Sequence, residues 1–199
     1  MKLMKYTLVF LATLLFSACG SNTEVKEGLT GKVTLEGYEG KPVYLMTTDG
    51  TYTKVDSTLV KDNKFAYTFT DSVPQVYQLV LMKEANDMFP IILPVVSEKG
   101  HIRVSMGELV LTSGTPLNDN LQDFLLAVSN FTDKAMKQEK LDMNQIKADY
   151  AKLVEGAVMQ NIKTPVGAYI YRMYSNQLSD EQQALIMSRA DESFKEAVK

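Results

Sequence analysis

The stretch LTSGTPLNDNLQDF, residues 111–124, marks the point where the hydrophobic period of the chain changes. Before it, apolar and polar residues alternate, as in KFAYTFT at residues 64–70, where Phe65, Tyr67 and Phe69 share one face. After it, apolar residues recur every three or four positions, which is the spacing of one helical face. Strands followed by helices are the order of an α+β chain.

Working outward from this boundary, we predict two folded regions. Residues 29–114 contain seven or eight short segments with strand patterns, which predict an antiparallel β-sandwich or barrel. The turn residues Thr-Asp-Gly at 48–50 separate two of these strands. Residues 115–199 form the helical region, with about four helices. Thr-Pro at 164–165 and a capping box over 179–182 mark two helix starts.

The first 18 residues have the order of a secretory signal peptide. Lys2 and Lys5 are basic, residues 6–18 carry no charge, and the small residues Ser17 and Ala18 end the segment. The uncharged run is too short to span a membrane, since a spanning helix needs roughly 20 residues. We therefore expect residues 1–18 to be removed by cleavage.

Cys19, the only cysteine of the chain, follows that segment directly. Residues 16–19, FSAC, resemble the lipobox of bacterial lipoproteins, in which the cysteine carries a diacylglycerol and a further acyl chain such as palmitate. The resemblance implies a lipid anchor at Cys19 and a polar tether over residues 19–28. An acylated Cys19 leaves no thiol for disulfide, metal or redox chemistry.

The residues near the anchor also predict a destination. Gly20, rather than an aspartate, follows the cysteine, which in lipoprotein sorting implies the outer membrane. Only Glu24 and Glu27 lie nearby, so the acidic run associated with surface export is missing. We expect a periplasm-facing outer-membrane lipoprotein whose partners are the membrane, through its lipid, and an envelope protein.

Composition and motifs argue against several other functions. The net charge is −3 with no basic patch, so nucleic acid is not an expected partner. His101, the only histidine, and Ser105 share a strand and lie ~13 Å apart along it, too far for a catalytic pair.

The 11 methionines form no copper-binding run, so core packing is the favoured interpretation. Residues 118–123, NDNLQD, lack the glycine and distant glutamate of a calcium loop, which favours helix capping by Asn118 or Thr115. We expect no catalytic residues, no metal and no cofactor.

One helical segment is unusually aromatic. AYIYRMY, residues 168–174, places Tyr169, Tyr171, Arg172 and Tyr174 close together on a helix. Aromatic rings beside an arginine can form a binding face. The alternative is a helix buried between the sheet and its neighbours, and both interpretations stay open at this point.

Three segments carry a resemblance to a known family. They are GKVTLEGYEGKPVYLMTTDG (31–50), VDSTLVKDNKFAYTFT (55–70) and LTSGTPLNDNLQDF (111–124). They resemble the N-terminal domain of unknown function of envelope thiol-disulfide oxidoreductases in the peroxiredoxin/thioredoxin-like group. In that family a Cys-x-x-Cys domain follows the helices. This sequence contains no Cys-x-x-Cys, so none of the family's catalytic residues has a counterpart here.

Two functional hypotheses follow. The first is a non-catalytic, membrane-anchored envelope lipoprotein that binds or supports a partner. The second, implied by the resemblance, is an accessory protein that docks a separate thioredoxin-like oxidoreductase in envelope redox homeostasis.

Overall fold

The computed structural model describes residues 27–84, 87–137 and 142–199. The predicted signal peptide, the lipid site Cys19 and nearly all of the tether lie outside the described residues. Within them, eight strands precede five α-helices, which confirms the α+β fold class.

The eight strands form two four-stranded sheets, so the sandwich prediction is confirmed. In chain order they are β1 (Gly28–Val33), β2 (Pro42–Thr47), β3 (Lys54–Leu59), β4 (Lys64–Tyr67), β5 (Val76–Leu81), β6 (Ile91–Val96), β7 (His101–Met106) and β8 (Val110–Ser113). One sheet has the order β4-β1-β7-β8 and the other β3-β2-β5-β6.

The prediction that all strands pair antiparallel needs one correction. β1 and β7 run parallel, with Leu29 opposite Ile102. Of the five strands between them, only β4 joins their sheet. The chain can therefore return from the second sheet so that β7 lies beside β1 and runs in the same direction, which parallel pairing requires.

The helices are α1 (Pro116–Met136), α2 (Met143–Gln160), α3 (Pro165–Tyr174), α4 (Asp180–Arg189) and α5 (Glu192–Ala197), with a 3-10 turn at Ser175–Gln177. The sequence predicts about four, with one continuous helix at the end of the chain. It divides at Ala190, which is extended, and the Asp191 side chain then accepts the Phe194 N–H at 2.8 Å to begin α5. The helices of the described residues do not include one long and apolar enough to span a bilayer.

Helix starts follow the sequence signals with one exception. The capping box of Ser179 and Gln182 is present, and Pro165 occupies the first turn of α3. Thr115 occupies the N-cap position of α1, as predicted, but its side chain makes no capping hydrogen bond. Glu98, from the turn before β7, accepts the N–H groups of Leu117 and Asn118 at 2.7 and 3.0 Å instead. A charged acceptor suits the positive end of the helix dipole.

Two buried clusters divide the core. One lies between the sheets and includes Leu29, Leu79 and Ile102, all fully buried. The other joins the helices to Val76 and Val96, at the ends of β5 and β6. Successive side chains of a strand point to opposite faces of its sheet. The cluster that contains Val76 and Val96 therefore lies on the outer face of the second sheet, which the helices cover at one end of the sandwich.

Two buried amides on α1 fix the helix to both sheets. Asn118 accepts the Val96 N–H at 2.9 Å and donates to the Val96 carbonyl at 2.8 Å, on β6. Gln122 accepts the Thr112 N–H at 2.7 Å, on β8. Both strands lie at sheet edges. The amides therefore satisfy edge groups that would otherwise be buried without partners.

Candidate functional site

A groove of about 400 Å³ lies where β2 and β5 meet α3 and α5. We call it the junction groove. Its lining includes Thr48, Val76, Tyr77, Ala168, Arg172 and Phe194. The sandwich and the helical region each supply one wall, so the groove exists only because the two regions pack together.

Apolar side chains make up about half of the lining of the junction groove. Val76 opens β5, and Phe194 lies on α5 with its ring 5.7 Å from that of Tyr171. Ala168 on α3 contributes only a methyl group, which leaves space between these larger side chains. An apolar concave surface with a few polar groups is the usual form of a small-molecule site.

Arg172 is the main polar feature of the junction groove. Its Nη2 donates to Thr48 Oγ1 at 3.0 Å, and that hydroxyl donates in turn to the Val76 carbonyl at 2.8 Å. Nε is buried with no hydrogen-bond partner. Among the described residues no carboxylate forms a salt bridge with Arg172. A half-buried cation without a counter-ion is unfavourable, because desolvation is not compensated.

The other charged residues that line the groove are exposed: Asp49, Lys163 and Asp191. Asp49 accepts hydrogen bonds from the hydroxyls of Thr51 and Thr47 at 2.6 and 2.8 Å. These bonds, led by that from Thr51, lower the pKa of Asp49 to about 2. Asp191 is engaged in the cap of α5. Both carboxylates therefore already serve local backbone structure.

The structure separates the four residues of the predicted aromatic face. Tyr169 and Tyr171 are buried, with 4% and 7% of their surface exposed. Burial raises the pKa of Tyr169 to about 12. Tyr174 packs edge-on against Phe124, with ring centroids 5.1 Å apart. The tyrosines thus belong to the helical core, and of the four only Arg172 lines the junction groove.

His101 and Ser105 do not meet. The His101 ring, through Nε2, hydrogen-bonds Thr30 Oγ1 on the neighbouring strand at 2.7 Å. Ser105 is exposed further along β7. Within the described residues no three His, Cys, Asp or Glu side chains converge as metal ligands would.

Sequence reasoning missed the partners of Arg172. The sequence predicts only a turn at Thr48, yet its hydroxyl accepts a hydrogen bond from a guanidinium 124 positions later. The sequence likewise predicts Phe194 only as part of a final helix, whereas the structure places it in the lining of the same groove. No local pattern signals either role, because both depend on how α3 and α5 pack on the sheet.

Comparison with known proteins adds one finding. No curated protein and no solved structure matches this chain. The family model described as "Domain of unknown function (DUF4369)" matches residues 28–121. This match runs from β1 into the start of α1, and it includes Thr48 and Val76 but not Arg172. Residues 28–121 are therefore similar to a domain of unknown function.

Proposed function

We propose that this chain is a non-catalytic, lipid-anchored module of the bacterial envelope that binds a ligand in the junction groove. One observation carries the binding part of the proposal. Arg172 lines the groove half-buried, and among the described residues its guanidinium makes one hydrogen bond, to Thr48, and no salt bridge. A ligand with a complementary group would supply the missing interaction.

The groove chemistry favours binding over turnover. None of the residues that line it is a histidine or a cysteine. The Thr48 hydroxyl donates to a backbone carbonyl, and the Tyr77 hydroxyl donates to Asp71 at 3.0 Å. Burial and that bond raise the pKa of Tyr77 to about 12. The Thr48 hydroxyl is thus committed to a backbone carbonyl, and the raised pKa of Tyr77 disfavours a phenolate nucleophile at neutral pH.

The anchoring part of the proposal rests on the sequence before β1. The signal-like residues 1–18 and Cys19 support lipidation, and the tether leads directly into β1 at Gly28. We propose the periplasmic side of the outer membrane. Protease treatment of intact cells should leave the protein uncut until the outer membrane is permeabilised. Digestion of intact, unlysed cells would contradict this orientation.

Protein-detected NMR with a fragment library tests the binding site. The full chain in detergent micelles is screened against uncharged, cationic and anionic fragments. Bound fragments should shift the amide resonances of Thr48, Ala168 and Ser193. The variant Ser193→Trp, which places an indole in the groove, should abolish the shifts, whereas Ser188→Trp, at an exposed serine outside it, should not.

Two results would overturn this function. The first is that no fragment shifts groove resonances, or that Ser193→Trp binds as the unaltered chain does. The second is chemical conversion of a bound fragment that requires groove residues. The first removes the binding site, and the second makes the chain an enzyme.

The second candidate is an accessory that docks a separate thioredoxin-like oxidoreductase. The observation that favours it is the DUF4369 match, since residues 28–121 include two of the segments on which the resemblance to the oxidoreductase family rests and most of the third. Affinity purification of the full chain after in-cell cross-linking tests it. Recovery of a Cys-x-x-Cys envelope protein supports docking, and its consistent absence contradicts it.

A further inference from the structure

We infer that the junction groove takes a monocarboxylate with an apolar body, and that the Arg172 guanidinium holds the carboxylate. This inference rests on the proposed binding function and specifies its ligand class. It follows from the charge, the geometry and the lining of the groove.

The guanidinium selects a carboxylate by shape. An arginine presents planar, paired N–H donors that match the two oxygens of a carboxylate. Thr48 fixes that plane, because its hydroxyl accepts from Nη2 at 3.0 Å while donating to the Val76 carbonyl. Nε has no partner. A carboxylate on this group would therefore neutralise the charge and satisfy donors that the protein leaves open.

The remaining charges limit the ligand to one negative charge. Arg172 is the only half-buried cation of the groove lining, since Lys163 is exposed. Asp49 and Asp191 also line the groove, and the pKa of Asp49, lowered to about 2, keeps that carboxylate ionised at neutral pH. A dianion such as a phosphate monoester would meet two fixed negative charges with one inner cation.

The walls define the rest of the ligand. Val76, Ala168 and Phe194 are buried apolar side chains that face the groove. A volume of about 400 Å³ lies within the range of small-molecule pockets. An aliphatic or aromatic body of a few carbons next to the carboxylate would contact these walls. Such a carboxylate can come from the C-terminus of a peptide or from a simple carboxylic acid.

Isothermal titration calorimetry on the full chain in detergent micelles tests the inference with four probes. N-acetyl-L-leucine presents the chemistry of a chain terminus, and 4-methylpentanoate presents a simple acid with the same branched body. N-acetyl-L-leucinamide removes the charge, and isopentyl phosphate adds a second one. At least one acid should bind about 10-fold or more tightly than the amide and the phosphate. The tighter of the two acids identifies the source.

Variants locate the charge. Arg172→Met should weaken binding of the acid by about 10- to 100-fold, whereas Arg189→Met, at an exposed arginine outside the groove, should change it by less than about 3-fold. Arg172→Lys keeps the charge without the paired donors and should fall between. Thr48→Val tests positioning: it should reduce the preference for acid over amide while amide binding stays unchanged.

The inference is overturned if the amide binds as tightly as both acids, if the phosphate binds more tightly, or if no probe binds. It is also overturned if Arg172→Met, with unchanged circular dichroism, binds the acid normally. The acid-to-amide ratio of the unaltered chain decides the matter even if a variant fails to fold. Equal binding of acid and amide in the groove removes the carboxylate but leaves the binding function in place.

Discussion

Removing the Asn118 side chain should loosen the helical region from the sandwich. Asn118 is fully buried, and its amide makes both bonds to Val96 and a further bond to Thr115 Oγ1 at 2.9 Å. In Asn118→Ala the Val96 N–H loses its acceptor, since the neighbouring bond across to the β5 side comes from Ser97 N–H, which donates to the Gln75 carbonyl at 2.9 Å. The Val96 carbonyl still accepts the Glu98 N–H.

The expected loss follows from these bonds. One orphaned buried donor costs about 1–3 kcal/mol, and each further lost bond contributes about 0.5–1.5 kcal/mol. We expect Asn118→Ala to lower the free energy of unfolding by about 2–4 kcal/mol. The matched control Asn130→Ala, at an exposed position of the same helix, should change it by no more than about 0.5 kcal/mol.

Equilibrium urea unfolding of the full chain, followed by circular dichroism and tyrosine fluorescence, measures both variants. We expect a lower urea midpoint of unfolding for Asn118→Ala and not for Asn130→Ala. Equal midpoints for the two variants would refute the claim that this amide joins α1 to the edge of β6.

Three further predictions concern stability and charge, and one concerns the anchor. Gly31→Ala should destabilise the sandwich by about 1–3 kcal/mol, because the new Cβ would lie 2.1 Å from the Phe65 ring. Adding Phe65→Leu to this variant should recover part of the loss. Additive losses of the two substitutions in the double variant would contradict this. Glu98→Ala should cost about 1 kcal/mol through loss of the α1 cap, and an unchanged urea midpoint would argue against it. The Asp49 carboxyl should titrate near pH 2 by NMR. Since its folded pKa is lowered, its stabilising effect is present above the ordinary pKa and is lost as pH falls toward 2. Titration at the ordinary value would contradict the hydrogen-bonded turn. Cys19→Ser should release the chain from the membrane fraction or leave its leader uncut; normal membrane retention with a processed leader would exclude Cys19 as the lipid site.

The strands and most helix starts could be predicted because their signals are local. Phe65 and Tyr67 alternate with exposed residues, and both are buried in the sandwich. The serine of the capping box lies three residues before its glutamine, and the structure places both in that motif. Period and capping depend on neighbouring residues, which a single sequence displays directly.

The features that were missed depend on distant residues. The parallel register of Leu29 with Ile102 requires the path of five intervening strands, which no local pattern records. The cap of α1 comes from Glu98, some 20 residues earlier. The break at Ala190 had a local signal, an aspartate followed by an acidic residue, which a stricter reading of capping residues would have found.

The candidate site shows the same limit. The aromatic residues of AYIYRMY predict a possible binding face. In the structure Tyr169, Tyr171 and Tyr174 pack in the helical core, and only Arg172 lies at the groove. Periodicity predicts which residues share a face and not which surface covers that face. Thr48 and Phe194 meet at the groove only in the folded chain.

A crystal structure of the chain grown with N-acetyl-L-leucine tests the central claim most directly. We expect the probe in the junction groove, with its carboxylate within hydrogen-bond distance of the Arg172 guanidinium and its isobutyl group against Val76 and Phe194. A probe that binds elsewhere on the chain, with the junction groove empty, would contradict the account.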